Sequence, residues 1–224
     1  MKKKDKKHKF NFVKFLLMLI VLYIIGFGVY QLTMMKIKHI RILDTTYLKD
    51  QSVLKEAKLD NYPSFLLTTT SSIKRNLKNN PYIKEITVKK EWFCRVYLYV
   101  EEYKVLFYNS LGQLVLENKE TLDNANKVDA PKLVNYVPDT LYDELIEQMA
   151  KVDDDILLKI SEIEYRPNDV DKERFLLTMN DGNYVYLTLY TFSKINKYDE
   201  ILPTLEKKKG ILYLDSGNYF EIID

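Results

Sequence analysis

Few residues of this chain could carry out chemistry, and they lie far apart in the sequence. Cys94 is the only cysteine, and His39 is the only histidine after the first fourteen residues. A Ser-His-Asp or Cys-His arrangement would have to use His39, yet its own segment supplies no acidic or nucleophilic partner. Cys94 alternates with apolar residues, as a small buried side chain does, whereas a reactive thiolate needs exposure and a nearby cation. One histidine and one cysteine do not indicate a zinc site.

Paired carboxylates are the remaining candidates, because wall-active glycosidases need only two of them. The acidic runs are Asp153-Asp154-Asp155 and Glu101-Glu102. Such runs are typical of solvated faces and helix caps, and no Gly-rich phosphate loop accompanies them. We therefore predict no catalytic, cofactor-binding or metal-binding residue, no cofactor, and a protein that is not an enzyme. A membrane-anchored wall hydrolase stays open as an alternative.

The charge of the chain is nearly balanced but unevenly distributed. The net charge is +2, and residues 1–14 contain seven lysines and one aspartate, a local charge of +6. Subtracting +6 from +2 leaves −4 for residues 15–224, so the main body offers no basic surface for nucleic acid. A single cysteine also excludes an internal disulfide.

A run of 21 residues without formal charge, FLLMLIVLYIIGFGVYQLTMM (15–35), follows the basic tail. A helix of this length spans about 30 Å, the thickness of the hydrocarbon core of a bilayer. A cleaved signal peptide would have a shorter apolar region that ends in small residues, which this run lacks. Seven lysines precede the run, and four basic residues follow it within fifteen positions. The positive-inside rule thus predicts a cytoplasmic tail (1–14), a transmembrane helix (15–35) and extracytoplasmic domains.

The segment after the span predicts a small unit in the order β-α-α-β-β, residues 36–103. IKHIRIL (37–43) alternates as a strand, and DQSVLKEAKL (50–59) has helical spacing with Asp50 as its cap. TTTSSIKRNLKNNP (68–81) predicts a second helix, which ends at the Asn-Asn-Pro sequence. Two alternating strands follow, joined by a turn around Lys90-Glu91, with Cys94 on the apolar face of the second strand.

From residue 104 to 224 the pattern predicts a mixed, β-rich domain with flanking helices. Hairpins are expected around Gly112 and around Asp181-Gly182. DTLYDELIEQMAKV (139–152) predicts an amphipathic helix capped by Asp139, and SKINKYDEILPTLEKK (193–208) predicts a helix that Pro203 bends or breaks. GILYLD and YFEI predict two closing strands around a turn at Ser216-Gly217. The fold class is therefore α+β.

These elements, in this order, resemble the FtsQ/DivIB family of bacterial cell-division proteins. The resemblance covers the basic tail, the single span, a POTRA domain (β-α-α-β-β) and a β-rich second domain. SIKRNLKNNPYIKEITVKKEW and VYLYVEE resemble the POTRA signature, although Trp92 is followed by Phe93 where the family often has proline. APKLVNY resembles a Leu-Pro segment of the family but lacks its usual glycine, and ILYLDSGNYFEI resembles the closing strands. On this resemblance, Trp92 and Cys94 are expected to serve the packing of a docking module.

The resemblance implies a non-enzymatic divisome scaffold at the septum. It implies that the protein recruits and stabilises FtsL and DivIC (FtsB), two coiled-coil membrane proteins, and links division to septal wall synthesis. The DivIC segment would add as a strand beside the last strand of the second domain. The residues carried over to this chain are Tyr213, Leu214, Asp215, Ser216, Gly217, Tyr219 and Phe220. Whether the aromatic residues among them are exposed or fill the core is left open. A POTRA-type adaptor in envelope assembly or secretion is the other alternative.

Overall fold

The computed structural model describes residues 12–123, 128–205 and 208–223. Most of the predicted cytoplasmic tail, residues 1–11, therefore lies outside the described residues. The chain divides into two compact units between Glu101 and Glu102.

The first unit begins with helix α1, Phe12–Thr33, which contains 22 residues. At a rise of 1.5 Å per residue it is about 33 Å long, which matches the hydrocarbon core of a bilayer. None of its residues is buried within the protein. In the part of the chain that the structure describes, it is the one helix long and apolar enough to cross a membrane. The prediction of a single transmembrane helix is confirmed.

The rest of the first unit is a three-stranded sheet with two helices. In chain order the elements are β1 His39–Leu43, α2 Asp50–Glu56, α3 Thr70–Leu77, β2 Ile83–Glu91 and β3 Arg95–Glu102. The strand order is β1-β3-β2, with β1 parallel to β3. Val53, Ile73 and Leu77 of the helices are buried, as are alternate residues of β3. This arrangement confirms the predicted β-α-α-β-β POTRA fold.

The helix caps differ in part from the prediction. Asp50 is the first residue of α2, and the cap position is Lys49, which makes no side-chain capping bond. Asp50 is still favourable there, because a carboxylate in the first turn complements the helix dipole. In α3 the cap is Thr69, whose side chain accepts a hydrogen bond from the Ser72 amide at 3.1 Å.

The turn between β2 and β3 shows that the prediction for Trp92 is wrong. The turn comprises residues 92–94 rather than Lys90-Glu91, and both Phe93 and Cys94 have positive φ. Cys94 is buried as expected, but Trp92 is 89% exposed and therefore does not serve packing within the unit. The strand alternation stops at Glu91, so it does not determine the direction of the Trp92 side chain.

The second unit is built on a nine-stranded sheet in the order β12-β11-β10-β9-β8-β7-β4-β5-β6. Its strands are β4 Val105–Tyr108, β5 Leu114–Leu116, β6 Thr121–Leu122, β7 Lys132–Leu133, β8 Ile160–Tyr165, β9 Arg174–Met179, β10 Tyr184–Thr188, β11 Gly210–Tyr213 and β12 Tyr219–Ile222. The predicted hairpins are confirmed: β4 pairs antiparallel with β5 across Gly112, and β9 pairs antiparallel with β10 across Gly182. Both glycines have positive φ, which explains why glycine is suited to these turns.

Helices pack on the buried face of this sheet. Helix α4, Asp139–Ala150, contributes Leu145, Ile146 and Met149 to the core, and the short helix α5 is Asp154–Leu157. Asp139 is the first residue of α4, and Pro138 stands at the cap position, so the predicted aspartate cap is wrong.

The predicted helix over residues 193–208 does not form one element. It changes type near Pro203, where a bend or break was predicted, and also at Tyr198, and residues 206–207 lie outside the described part of the chain. A 3₁₀ segment, Leu189–Lys197, is followed by one turn of α-helix, α6 Tyr198–Ile201, and a second 3₁₀ segment, Leu202–Leu205. Thr188 and Thr191 form a reciprocal capping box that starts the first segment earlier than the apolar spacing indicated. Ile195 and Tyr198 are nevertheless buried, as predicted.

Candidate interaction surface at the edge of the large sheet

Strand β12 forms one edge of the nine-stranded sheet. Its inner neighbour β11 is paired on both sides, in parallel with β10 and antiparallel with β12. Tyr213, which was expected to belong to the edge, is therefore an interior position, opposite Tyr186 on one side and Tyr219 on the other. The backbone edge at this end of the sheet is that of Tyr219–Ile222.

The pairing register identifies the backbone groups that face outward. The Ile223 amide donates to the Lys209 carbonyl at 3.0 Å, so Ile223 is bonded toward β11. Because antiparallel bonding alternates along a strand, Glu221 and Tyr219 also bond inward. The N–H and C=O groups of Phe220 and Ile222 consequently point away from the sheet. Such a row of outward groups is a template for an added strand.

A ladder of tyrosines crosses the outer face of the sheet toward this edge. The rings of Tyr186 and Tyr213 are 5.4 Å apart, and those of Tyr213 and Tyr219 are 4.4 Å apart and nearly parallel. The Tyr213 hydroxyl donates to Glu221 Oε2 at 2.9 Å. Desolvation of the Tyr213 hydroxyl and, as the second cause, its hydrogen bond to Glu221 raise the pKa of Tyr213 to about 12. Tyr213 therefore stays protonated at physiological pH and holds the Glu221 carboxylate beside the edge.

A buried ion pair fixes the inner end of the ladder. Arg174 Nε lies 2.6 Å from Asp215 Oδ2, and both side chains are largely buried. The guanidinium carbon of Arg174 lies 3.5 Å from the centre of the Tyr186 ring, a cation–π contact. Asp215, one of the expected partner-binding residues, thus ties the turn after β11 to β9.

The other expected residues divide between core and surface. Leu214 is 2% exposed and belongs to the hydrophobic core, and Phe220 is half-buried against that core. Ser216 and Gly217 are exposed in the turn, where Gly217 has positive φ. Tyr219 is exposed at the start of β12. The structure therefore brings Tyr213, Tyr219 and the turn together on one surface and assigns Leu214 to the interior.

An apolar groove lies on the opposite side of β11. Its volume is about 380 Å³, and its apolar lining consists of Ile201, Leu212 and Leu214. Lys194 and Lys197 provide two amines at its margin, and Lys194 Nζ also donates to the Leu214 carbonyl at 3.2 Å. The groove thus offers an apolar recess and two amines beside β11, the strand that pairs with β12.

The predicted acidic runs do not converge on a cleft. Asp154 is paired with Lys104 at 2.6 Å, and Glu101 with Lys84 at 3.1 Å. The residues that line the cleft around His39 include no carboxylate. Over residues 12–123, 128–205 and 208–223, histidine, cysteine and acidic side chains form no group that could hold a metal ion.

A cleft in the second unit contains two carboxylates that the sequence analysis did not select. Its volume is about 580 Å³, and Asp129, Lys132 and Glu162 are among the residues that line it. Lys132 and Glu162 are register partners on β7 and β8. Opposite charges at such positions stabilise a sheet, which accounts for their proximity.

Sequence reasoning missed Tyr186, Arg174 and Ile222. The signal for Tyr186 was the alternation of tyrosines in NYVYLTLY, which places Tyr184 and Tyr186 on the face opposite the buried Val185 and Leu187. No sequence signal indicates that β10 lies beside β11, so the alignment of Tyr186 with Tyr213 could not be anticipated.

Comparisons with known proteins show several related sequences. Residues 35–103 match the family described as "POTRA domain, FtsQ-type". The cell division protein DivIB of Bacillus anthracis is 32% identical over 226 residues, which cover 97% of this chain and 84% of the relative. The corresponding protein of Bacillus cytotoxicus is 30% identical over 235 residues, which cover 100% of this chain and 91% of the relative.

One solved structure is also similar. It is the major extracytoplasmic domain of the trans isomer of the cell division protein DivIB from Geobacillus stearothermophilus. The sequence identity is 28%, the match covers 48% of this chain and 97% of that domain, and the TM-score is 0.40.

Proposed function

This chain belongs to the DivIB family of bacterial cell-division proteins, and from that premise we propose that it recruits FtsL and DivIC to the septum by strand addition at β12. A role in the divisome and a single-pass membrane anchor agree with the family and with α1. In this proposal residues 1–14 are cytoplasmic, 15–35 span the membrane, and the POTRA domain (36–103) and β domain (104–224) lie outside. The protein acts as a non-enzymatic scaffold.

The observation that supports this proposal best is the outward backbone edge of β12. A guest strand would pair with the N–H and C=O groups of Phe220 and Ile222 and complete the hydrogen bonding of the sheet. Tyr219 and the rest of the tyrosine ladder would supply rigid aromatic contact area beside it. The groove with Lys194 and Lys197 favours a guest segment that carries apolar and acidic side chains.

The expected partner-binding residues take different roles in this proposal. Tyr213, Tyr219 and Phe220 shape the surface, Ser216 and Gly217 form the turn beside it, and Asp215 holds the turn in place. Leu214 acts from the core, so a charged residue at this position would test folding rather than recognition.

Proline substitution can test the edge without disrupting the sheet. We expect Ile222→Pro to abolish co-purification of DivIC with the full chain, because it removes an outward donor and places a ring in the path of the guest strand. The matched control is Thr121→Pro on β6, at the opposite edge of the sheet. The Glu120 carbonyl accepts a hydrogen bond from the Leu116 amide, so Glu120 is bonded toward β5. Because antiparallel bonding alternates along a strand, the next amide, that of Thr121, points away from the sheet, as the Ile222 amide does. Unchanged DivIC binding by a folded Ile222→Pro protein would contradict the proposed edge.

A fluorescent fusion tests the cellular role. The intact chain should concentrate at the division septum, and Ile222→Pro should lower the amount of DivIC retained there. A uniform membrane signal from the intact chain would count against the septal assignment. Hydrolysis of peptidoglycan by the purified protein would favour a wall enzyme instead.

A further inference from the structure

Three segments of the first unit meet where α1 ends. The Phe65 amide donates to the Met35 carbonyl at 2.7 Å, and the Ile37 amide donates to the Pro63 carbonyl at 3.0 Å. On the other side, the Lys38 amide donates to the Cys94 carbonyl at 2.9 Å. Lys90, at the end of β2, donates to the carbonyls of Phe65 and Thr68. The loop 62–68 and the turn 92–94 are therefore fixed to the residues that leave the helix.

These two segments expose large apolar side chains, whereas those of α2 and α3 are mostly buried. The exposed fractions are 46% for Tyr62, 48% for Leu66, 69% for Leu67, 89% for Trp92 and 79% for Phe93. We call these five residues the juxtamembrane patch. Tyr62 and Phe93 also have positive φ, a backbone conformation that bulky residues rarely adopt. The patch therefore combines unfavourable exposure with unfavourable backbone geometry, a combination typical of functional positions.

The end of α1 sets the depth of the patch. The Ser64 hydroxyl donates to the Thr33 carbonyl at 2.5 Å and satisfies one of the free carbonyls at the helix terminus. Because α1 has the length of the hydrocarbon core, Thr33 lies near the boundary between lipid tails and headgroups. Ser64 and its neighbours in the loop must then lie at the same depth, where tryptophan and tyrosine are most favourable.

The charges around the patch suit an anionic lipid surface. Over residues 34–38, 60–68 and 90–95 the basic residues are Lys36, Lys38, Lys90 and Arg95, and the acidic ones are Asp60 and Glu91. Lys90 is bonded to the loop carbonyls, so Lys36, Lys38 and Arg95 are the cations left for lipid. Arg95 lies over the ring of Phe93, with its guanidinium carbon 6.0 Å from the ring centre. Basic side chains beside aromatic and aliphatic ones are typical of surfaces that lie in the membrane interface.

We propose that the juxtamembrane patch inserts into the headgroup region of the same bilayer that α1 spans, with anionic phospholipids as its ligand. The first unit is then held at the membrane by a helix and a surface rather than by the helix alone. This docking does not depend on the strand addition at β12. The bilayer is the favoured occupant because the patch is continuous with the end of the transmembrane helix.

Trp92 is the only tryptophan, so tryptophan fluorescence of the intact chain reports on the patch. The full chain is reconstituted in phosphatidylcholine–phosphatidylglycerol vesicles, and tryptophan emission is compared with and without bromine on the lipid acyl chains. We expect blue-shifted emission from Trp92 and a strong loss of intensity in brominated lipid. The matched control is Trp92→Phe combined with Tyr190→Trp, which moves the probe to a position 91% exposed in the second unit. This probe should keep most of its intensity.

Substitutions within the juxtamembrane patch test whether the quenching of Trp92 depends on insertion of the patch into the bilayer. The double variant Leu67→Gln, Phe93→Asn keeps Trp92 and replaces two exposed apolar side chains by polar ones. It should reduce the bromine quenching of Trp92. Asparagine also accepts the positive φ at position 93. An unchanged circular dichroism spectrum would show that the variant is folded.

The remaining outcomes contradict the proposal. Trp92 emission that bromine leaves unchanged, or quenches no more than in the control, would overturn docking on lipid. Quenching that disappears when the protein is diluted into excess lipid would identify a second copy of the chain as the requirement. If Trp92 becomes shielded only after a divisome protein is added, the patch is a protein interface.

Discussion

At the scale of single residues, Arg174 and Asp215 show how an expected binding residue can act through folding. Their side chains are 14% and 7% exposed and separated by 2.6 Å. Asp215→Ala would leave the Arg174 guanidinium buried without a counter-ion. We expect the free energy of unfolding to fall by about 3–5 kcal/mol, the usual cost of breaking a buried pair. Urea denaturation of the full chain in detergent, followed by circular dichroism, measures this change.

An exposed ion pair provides the comparison for this measurement. The side chains of Lys84 and Glu101 are 45% and 57% exposed, and their charged atoms are 3.1 Å apart. Water screens both charges, so Glu101→Ala should cost no more than about 1 kcal/mol. Equal losses for Asp215→Ala and Glu101→Ala would show that burial does not determine the importance of the Arg174–Asp215 pair.

Phe93, unlike Asp215, is expected to lower the stability of the fold. Its φ is +67°, and its side chain is largely exposed, so it contributes strain and little packing. Phe93→Asn should raise the free energy of unfolding by up to about 1 kcal/mol, because asparagine adopts this backbone conformation more readily. Denaturation of the full chain in detergent, without a bilayer, measures the effect. A clear loss of stability would mean that the Phe93 ring supports the fold.

At the scale of elements, the pairing of β12 with β11 depends on Gly210. A Cβ atom at this position would lie 2.0 Å from the Glu221 carbonyl oxygen and 2.8 Å from the ring of Phe220. Gly210→Ala must therefore displace β12, at a cost of about 1–3 kcal/mol for overpacking. We expect faster hydrogen exchange at the amides of Glu221 and Ile223, together with weaker DivIC binding.

Gly182→Ala is the control for this displacement. Gly182 has positive φ, but a Cβ atom there would meet no other atom within 4 Å. Alanine should therefore strain the turn between β9 and β10 by about 1 kcal/mol and leave the exchange of the β12 amides unchanged. If both variants accelerate exchange in β12 equally, the close approach of β12 to Gly210 is not the cause.

The elements that could be predicted are those determined by local patterns. Two-residue alternation indicated the strands on either side of Gly182, and helical spacing indicated α4. Strand order could not be derived in the same way, because it depends on contacts between segments distant in sequence. The interior position of Tyr213 was missed for this reason. The exposure of Trp92 was missed because a tight turn separates it from the alternating pattern of β2.

At the scale of the whole molecule, the two units offer two different kinds of surface. The first unit combines an apolar helix with the juxtamembrane patch, both suited to lipid. The second unit offers backbone hydrogen-bonding groups at the edge of β12, which are suited to a protein strand. The two proposed ligands are a membrane and a peptide segment, and binding them needs no converging catalytic groups.

The orientation of the chain in the membrane is a property of the whole molecule. Seven basic residues precede α1's apolar run and four follow it closely. Replacing the lysines at positions 2, 3, 4, 6 and 7 by glutamine leaves two against four, so the positive-inside rule favours the reverse orientation. With Cys94→Ser and Tyr190→Cys, a membrane-impermeant maleimide should label the protein in cells that carry the native tail and label far less of it in cells that carry the glutamine tail.

Arginine at the same five positions is the control, because it keeps the charge and should preserve labelling. Full labelling of the glutamine variant would mean that the folded units after α1, rather than the basic tail, determine the orientation.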